Sequence, residues 1–77
     1  MTNYDIVGDW RIRINGMEHG APHVHVIFRD GSRVSVAIET GEVLAGGVQP
    51  LKRLVAALAD IRANKAKYLD EYRRLNP

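Results

Sequence analysis

The chain contains no cysteine. Disulfide bonds, thiolate-ligated zinc and a cysteine nucleophile are therefore excluded, and the composition fits a reducing cytoplasm. Long apolar runs are also lacking, since none approaches the roughly 20 residues that a membrane-spanning helix needs. The opening segment MTNYDIVG has neither the basic start nor the apolar stretch of a signal peptide. We therefore expect a soluble cytoplasmic protein with no membrane contact.

Length and charge set further limits. A chain of 77 residues has room for one domain with a small core, so we expect residues 1–77 to fold as a single domain. The net charge is only +2, but residues 50–77 carry seven basic and three acidic side chains. This basic half is either a solvated helix face or a contact surface for an acidic partner.

Three segments alternate apolar and polar residues with a period of two, which is typical of half-buried strands. The pattern predicts strands at about 8–15, 23–28 and 32–39, with a short fourth strand at about 43–45.

The segment FRDGSR between the second and third strands allows two hairpin registers. A two-residue Asp-Gly loop would place Arg33 opposite Phe28 and so bring charge into the core. A three-residue Arg-Asp-Gly loop pairs Val26 with Val34 and puts Gly31 at the left-handed position that this turn requires. We predict the three-residue loop.

From about residue 50 to residue 75 the apolar residues follow helical spacing, with a proline at the start and Asn-Pro after the end. Such a helix would be about 39 Å long, whereas an eight-residue strand spans about 26 Å. Its C-terminal turns are therefore expected to extend beyond the sheet. Tyr68, Leu69 and Tyr72 in these turns would form a homodimer or partner contact, or would fold back on the N-terminal residues.

Together these elements predict an α+β fold, in which one long C-terminal helix packs on one face of a three- to four-stranded antiparallel meander. Trp10, Val26 and Val36 belong to the face that the helix covers. The other face is expected to have no cover. It carries Arg11, Arg13, His23, His25 and Arg33.

The stretch EHGAPHVH concentrates a glutamate and three histidines in eight positions. The side chains of His23 and His25 project from the same side of one strand, about 6.6 Å apart. They can converge on a metal ion with His19 or Glu18 as a third ligand. They can also serve as acid and base, because imidazole exchanges protons near neutral pH. A third interpretation is structural, since the predicted register gives both histidines small neighbours across the sheet.

In the acid–base interpretation the chemistry would be metal-independent cleavage of RNA, with arginines that stabilise phosphate charge. The catalytic residues would be Glu18, His23 and His25. The substrate-binding residues would be Arg11, Arg13, Arg33 and His19. Recognition by base stacking is disfavoured, because Trp10 and Phe28 belong to the core face. No cofactor is needed here, and the alternative is a divalent transition metal held by His19, His23 and His25.

Two segments, EHGAPHVHV (18–26) and IETGEVLAGG (38–47), precede a helix rich in leucine and arginine. In this combination the chain resembles the bacterial family known as domain of unknown function 4160, over about residues 8–75. Ala21 stands where the family usually has a further proline, and Tyr72 stands where many members have tryptophan. The motif positions are Glu18, His19, Pro22, His23, His25, Glu39, Gly41, Glu42 and Gly46.

The resemblance implies no settled biochemistry. It implies a gene neighbourhood, since family genes often lie beside those of another small protein family in pairs that look like toxin–antitoxin modules. We therefore expect one component of such a pair, with the toxin side favoured, which acts on RNA or translation and binds the small protein from the neighbouring gene. The alternatives are a non-enzymatic protein- or nucleic-acid-binding module and a small metal-binding protein.

Overall fold

The computed structural model describes residues 1–18 and 20–77. In this part of the chain an antiparallel sheet of five strands follows the order of the sequence. The strands are β1 (Thr2–Asn3), β2 (Trp10–Ile14), β3 (His23–Phe28), β4 (Arg33–Ala37) and β5 (Val43–Gly46). A 3-10 turn (Leu51–Leu54) leads into helices α1 (Val55–Ala63) and α2 (Lys65–Leu75). The α+β class and the antiparallel meander are confirmed.

The number of strands differs from the prediction because β1 is too short to show a period-two pattern. Its two residues pair with the far end of β2, where Thr2 lies opposite Ile14.

The helical region is also divided, at Asn64, where φ is −118° and ψ is 29°. The Asn64 side-chain amide donates to the Asp60 carbonyl oxygen at 3.0 Å and to the Asp60 carboxylate at 3.1 Å. Asparagine favours such local hydrogen bonds over continued helix. The prediction of one helix over 50–75 is therefore wrong at this residue.

The hairpin between β3 and β4 has the predicted register. Val26 lies opposite Val34, and the Phe28 N–H donates to the Ser32 carbonyl at 2.9 Å. Gly31 has a φ of +91°, the left-handed conformation that the three-residue loop requires. The same register fixes which side chains of β3 face the core.

Both helices contribute to a core on one face of the sheet. Leu54, Ala57 and Ile61 pack there against the inward-facing side chains of β2, β3 and β4. Tyr68 and Tyr72 of α2 are buried as well. The Tyr68 ring meets the Tyr4 ring edge to face, with centroids 5.2 Å apart.

Tyr68 thus folds back on the N-terminal segment, as the second of the two sequence-based alternatives predicts, whereas Tyr72 packs beside His23. Leu69 is half-buried and packs against the same core. A homodimer through the C-terminal helix would have to use other residues of that helix.

Arg53 in the 3-10 turn joins the helical region to the sheet. Its guanidinium makes a bidentate contact with Asp9 at 2.7 and 3.1 Å and reaches Asp30 at 2.9 Å. It also lies over the Phe28 ring, 5.0 Å from the centroid. The hydrogen bond from Arg53 lowers the pKa of Asp9. The Ser32 backbone N–H and then Arg53 lower the pKa of Asp30 to about 2.

These lowered pKa values predict how stability depends on pH. The contribution of the two carboxylates is complete above their unfolded pKa of about 3.9 and is lost as the pH falls through the folded values. We expect Arg53→Met, which keeps a long side chain beside Phe28 without the charge, to lose stability less steeply than the wild type between about pH 5 and about pH 2. Urea unfolding across this range measures the difference, and equal slopes would contradict the prediction.

Candidate metal centre

The residues of chemical interest lie on the sheet face opposite to the core, where Tyr72 near the end of α2 reaches His23. Arg13, His25 and Ser35 form one cross-strand row, because Arg13 pairs with His25 and His25 pairs with Ser35. His23 lies two residues earlier on β3, opposite Ala37. Along β3 these half-buried histidines alternate with buried valines. The predicted placement of both histidines on the outer face is confirmed.

Glu18 returns over this face from the connection between β2 and β3. Its Oε1 lies 3.2 Å from His25 Nε2 and 3.8 Å from His23 Nε2. One ligand atom from each of the three residues lies within 4.8 Å of the other two. The side chains of His23, His25 and Glu18 are 11%, 20% and 30% exposed. The expectation of a face without cover is therefore wrong at the histidines, because Glu18 lies against both rings and Tyr72 of α2 lies beside His23.

Asparagines hold this connection in place. Asn76, directly after α2, accepts a hydrogen bond from the Glu18 backbone N–H at 2.7 Å and donates to the Asn15 carbonyl at 3.0 Å. Asn15 in turn donates through its side chain to Glu18 Oε1 at 3.3 Å. The orientation of Glu18 thus depends on a residue 58 positions later in the chain.

The contact of His23 Nδ1 determines whether Nε2 of the same ring carries a hydrogen or a lone pair. His23 Nδ1 lies 2.9 Å from the Ala21 carbonyl oxygen. A carbonyl only accepts, so Nδ1 carries the hydrogen, and Nε2 of the neutral ring keeps a free lone pair. This lone pair belongs to the nitrogen that approaches Glu18. Metal-bound histidines commonly donate their other N–H to a carbonyl in this way.

His25 has a more adaptable second partner. Its Nδ1 lies 3.2 Å from the Ser35 hydroxyl oxygen, and a hydroxyl can either donate or accept. If Ser35 donates, His25 Nε2 carries a hydrogen and donates it to Glu18. If Ser35 accepts, Nε2 has a lone pair for a cation. The same contacts therefore suit the site with and without a bound ion.

The electrostatics favour a cation. The hydrogen bond from His25 lowers the pKa of Glu18, against the opposing effect of burial, and the Asn15 hydrogen bond lowers it further. Glu18 is therefore a carboxylate at neutral pH. The Tyr72 ring lies 5.7 Å from the His23 ring, and burial followed by the Glu18 charge raises the pKa of Tyr72. The site thus combines one anionic oxygen with two imidazole nitrogens beside a neutral phenol.

The distances from the Glu18 oxygen to the two histidine nitrogens are close to those of a coordination site. With metal–ligand bonds of about 2.1 Å, neighbouring ligand atoms in tetrahedral or octahedral geometry lie about 3.0–3.4 Å apart. The 3.2 Å between Glu18 and His25 falls in this range, and the 3.8 Å between Glu18 and His23 exceeds it by a few tenths of an ångström. Two imidazoles and one carboxylate favour zinc, iron, nickel or manganese over calcium or magnesium, and they leave further positions open.

The arginines divide into two groups. Arg13 lies beside His25 in the cross-strand row and donates through Nε to the Asn3 side chain at 2.8 Å. Arg11 and Arg33 flank Ile27 in a separate row nearer the β3–β4 hairpin. Among the predicted site residues the structure thus brings Glu18, His23 and His25 together, with Arg13 next to them. His19, predicted as a substrate contact or metal ligand, lies outside the described residues.

Sequence reasoning missed the supporting residues Asn15, Ser35, Tyr72 and Asn76. The contact of Ser35 with His25 could have been predicted, because the predicted hairpin register places the two residues opposite each other. For Asn76 the sequence offered only a helix stop, since the helix end and Glu18 meet through the tertiary fold alone.

The fold and the donor set define a small α+β protein with a histidine–carboxylate cluster on the outer face of its sheet. The family model described as "Domain of unknown function (DUF4160)" matches residues 9–73, and the chain belongs to this family. No curated protein and no solved structure matches the chain. None of the described helices is long and apolar enough to cross a membrane.

Proposed function

We propose that this protein binds one divalent transition-metal ion through Glu18, His23 and His25. The observation that carries the proposal is the approach of both histidine Nε2 atoms to one carboxylate oxygen, at 3.2 and 3.8 Å. The Nδ1 atoms meanwhile contact the Ala21 carbonyl and the Ser35 hydroxyl, which orients both rings. Glu18, one of the two third ligands that the sequence allowed, is the third ligand in this proposal.

The same geometry favours metal binding over acid–base cleavage of RNA. An acid and a base that act on one phosphodiester must each reach the substrate through a free ring nitrogen. Here both Nε2 atoms face Glu18, and the two histidine side chains are only 11% and 20% exposed. A single ion needs far less room than a ribose-phosphate backbone, so a metal is the ligand that fits.

Calorimetric titration of tag-free protein tests the proposal, after dialysis against a chelator and then against metal-free buffer. We expect one zinc, nickel or manganese ion per chain with a dissociation constant in the micromolar range or below, and no binding of magnesium at the same concentrations. Protein that takes up none of the three transition metals would contradict the proposal.

A second candidate function is supported by the position of Arg13 beside His25 and by the exposed Arg33 on the same sheet face. According to this second candidate, the protein is the toxin side of a toxin–antitoxin-like pair in the cytoplasm. It would act on RNA or translation and bind the small protein from the neighbouring gene. Arginine contacts to phosphate would supply the affinity for RNA.

Induced expression of the wild type and of a His23→Ala/His25→Ala variant tests this second candidate. Growth arrest by the wild type alone would support it, whereas equal growth of both strains would remove the toxin function. A stable complex with the neighbouring gene product, without any effect on growth, would favour a non-enzymatic binding module.

A further inference from the structure

Strand β5 is an exposed edge strand without a charged residue or a proline, and its pairing with β4 contains a bulge. Its four residues, Val-Leu-Ala-Gly, are all exposed and none is charged. Val43 and Leu44 keep 43% and 46% of their surface accessible. At the other edge β1 has only two residues, and its Thr2 hydroxyl donates to Glu71 of α2. Natural edge strands usually carry charge, proline, a bulge or a cover that prevents pairing with another chain, and of these β5 has the bulge.

Exposed apolar residues at the start of the helical region extend this edge. Leu51 and Val55 are 68% and 64% exposed. Leu58, one turn after Val55, lines a cavity with Ile38 and Gly41 at the β4–β5 connection. This flank of the helical region therefore lies on the β5 side.

Contacts of the opposite flank support that placement. It carries Arg53, which binds Asp9 before β2, and Asp60, which accepts a hydrogen bond from Tyr68. We call Val43, Leu44, Leu51 and Val55 the apolar edge. Apolar groups gathered at one edge and rimmed by polar residues mark an interaction site.

We propose that the apolar edge is a homodimer interface, in which β5 pairs antiparallel with β5 of a second copy. Two-fold symmetry extends the sheet from one copy into the other. The Leu51 and Val55 side chains of the two copies then meet on the helix side of the joined sheet. The backbone N–H and C=O groups on the side of β5 away from β4 form the hydrogen bonds of this pairing.

Charge complementarity favours a second copy of this chain as the partner at the apolar edge. The Ala37 N–H donates to the Glu42 carbonyl at 2.9 Å, and the Gly47 N–H donates to the Arg33 carbonyl at 3.0 Å. Directly paired residues share a face, and a bulge at Leu44 lets Glu42 and Gly47, five positions apart, both lie on the outer face with Arg33.

When Leu44 lies opposite Ala45 of the second copy, Glu42 lies opposite Gly47 of that copy. Arg33 of the second copy is one strand further on, about 10 Å away in the sheet. Because glycine has no side chain, the Arg33 guanidinium can reach over it to the Glu42 carboxylate. The two-fold symmetry gives the interface two equivalent ion pairs of this kind.

Sedimentation equilibrium of the full chain tests the interface, and it is independent of the metal proposal because metal-free protein is used. We expect a concentration-dependent dimer. Glu42→Arg and Arg33→Glu should each weaken it at least about tenfold, because like charges then face each other. The double variant Glu42→Arg/Arg33→Glu should restore wild-type affinity. Arg11→Glu is the matched control on the same face away from the edge, and it should leave the dimer unchanged.

Leu44→Lys places an edge lysine in β5 and should give a monomer with an unchanged far-ultraviolet circular dichroism spectrum. A wild-type protein that is monomeric at all concentrations would overturn the proposal. So would a dimer that survives Leu44→Lys, or a double charge variant that stays as weak as the single variants.

Discussion

The His25→Ala variant is expected to bind zinc at least about 100-fold more weakly than the wild type while it remains folded. Removal of residues that only support a ligand already costs about 10- to 100-fold in metal affinity, and loss of a ligand itself costs at least as much. The side chain lies on the outer face and is 20% exposed, so alanine leaves the core unchanged. Glu18→Gln should have a similar effect, because it keeps the shape of the side chain and removes its charge.

Graded variants separate a metal site from a general loss of structure. Ser35→Ala removes the hydroxyl that contacts His25 Nδ1 at 3.2 Å and should weaken binding about tenfold. Arg33→Gln changes an exposed residue in the neighbouring row and should leave the affinity unchanged. Calorimetry at one pH measures all of these variants. Wild-type affinity in both His25→Ala and Glu18→Gln would show that any bound metal lies elsewhere.

The Gly46→Ala variant is expected to be destabilised by about 3 kcal/mol or more. Gly46 has a φ of +80°, and a Cβ at this residue would lie 2.1 Å from the Arg33 carbonyl oxygen. A left-handed residue other than glycine costs about 1–3 kcal/mol, and the contact with rigid backbone adds to this. Net stability is only about 0.05–0.15 kcal/mol per residue. Alanine at Gly46 should therefore separate β5 from β4 or unfold the chain.

Gly41→Ala is the matched control for this prediction. Gly41 has a nearly equal φ of +76°, but a Cβ there would meet nothing within 4 Å. We expect its cost to be about 1–2 kcal/mol, from the backbone conformation alone. Urea unfolding of both variants gives the difference that the contact with Arg33 contributes. Equal destabilisation of the two variants would contradict the account of the β4–β5 pairing.

The strand pattern of this protein was predictable because its strongest signal is local. Alternation along residues 23–28 and the three-residue turn at Gly31 determine which face His23 and His25 occupy, and the structure has this register. Lys65 interrupts the apolar stripe near the break at Asn64, but the stripe resumes in phase at Tyr68, so helical spacing alone favoured one continuous helix. The cause of the break is an amide that binds Asp60, one turn earlier.

The candidate site could be predicted only in part. Two histidines on one strand are visible in the sequence, and Glu18 was one of two residues that could join them. The approach of Glu18 to the histidines depends on Asn76, whose side chain anchors the connection from the far end of α2. A contact between residues so distant in the chain leaves no pattern in a single sequence. The burial of Tyr68 against Tyr4 is non-local in the same way.

X-ray absorption at the zinc edge of protein loaded with one equivalent shows whether two imidazoles and a carboxylate hold one metal ion. We expect a first shell of nitrogen and oxygen at about 2.0–2.1 Å, with outer-shell scattering from two imidazole rings that falls to one in the His25→Ala variant under saturating zinc. A wild-type spectrum without imidazole scattering, or one that His25→Ala does not change, would contradict it.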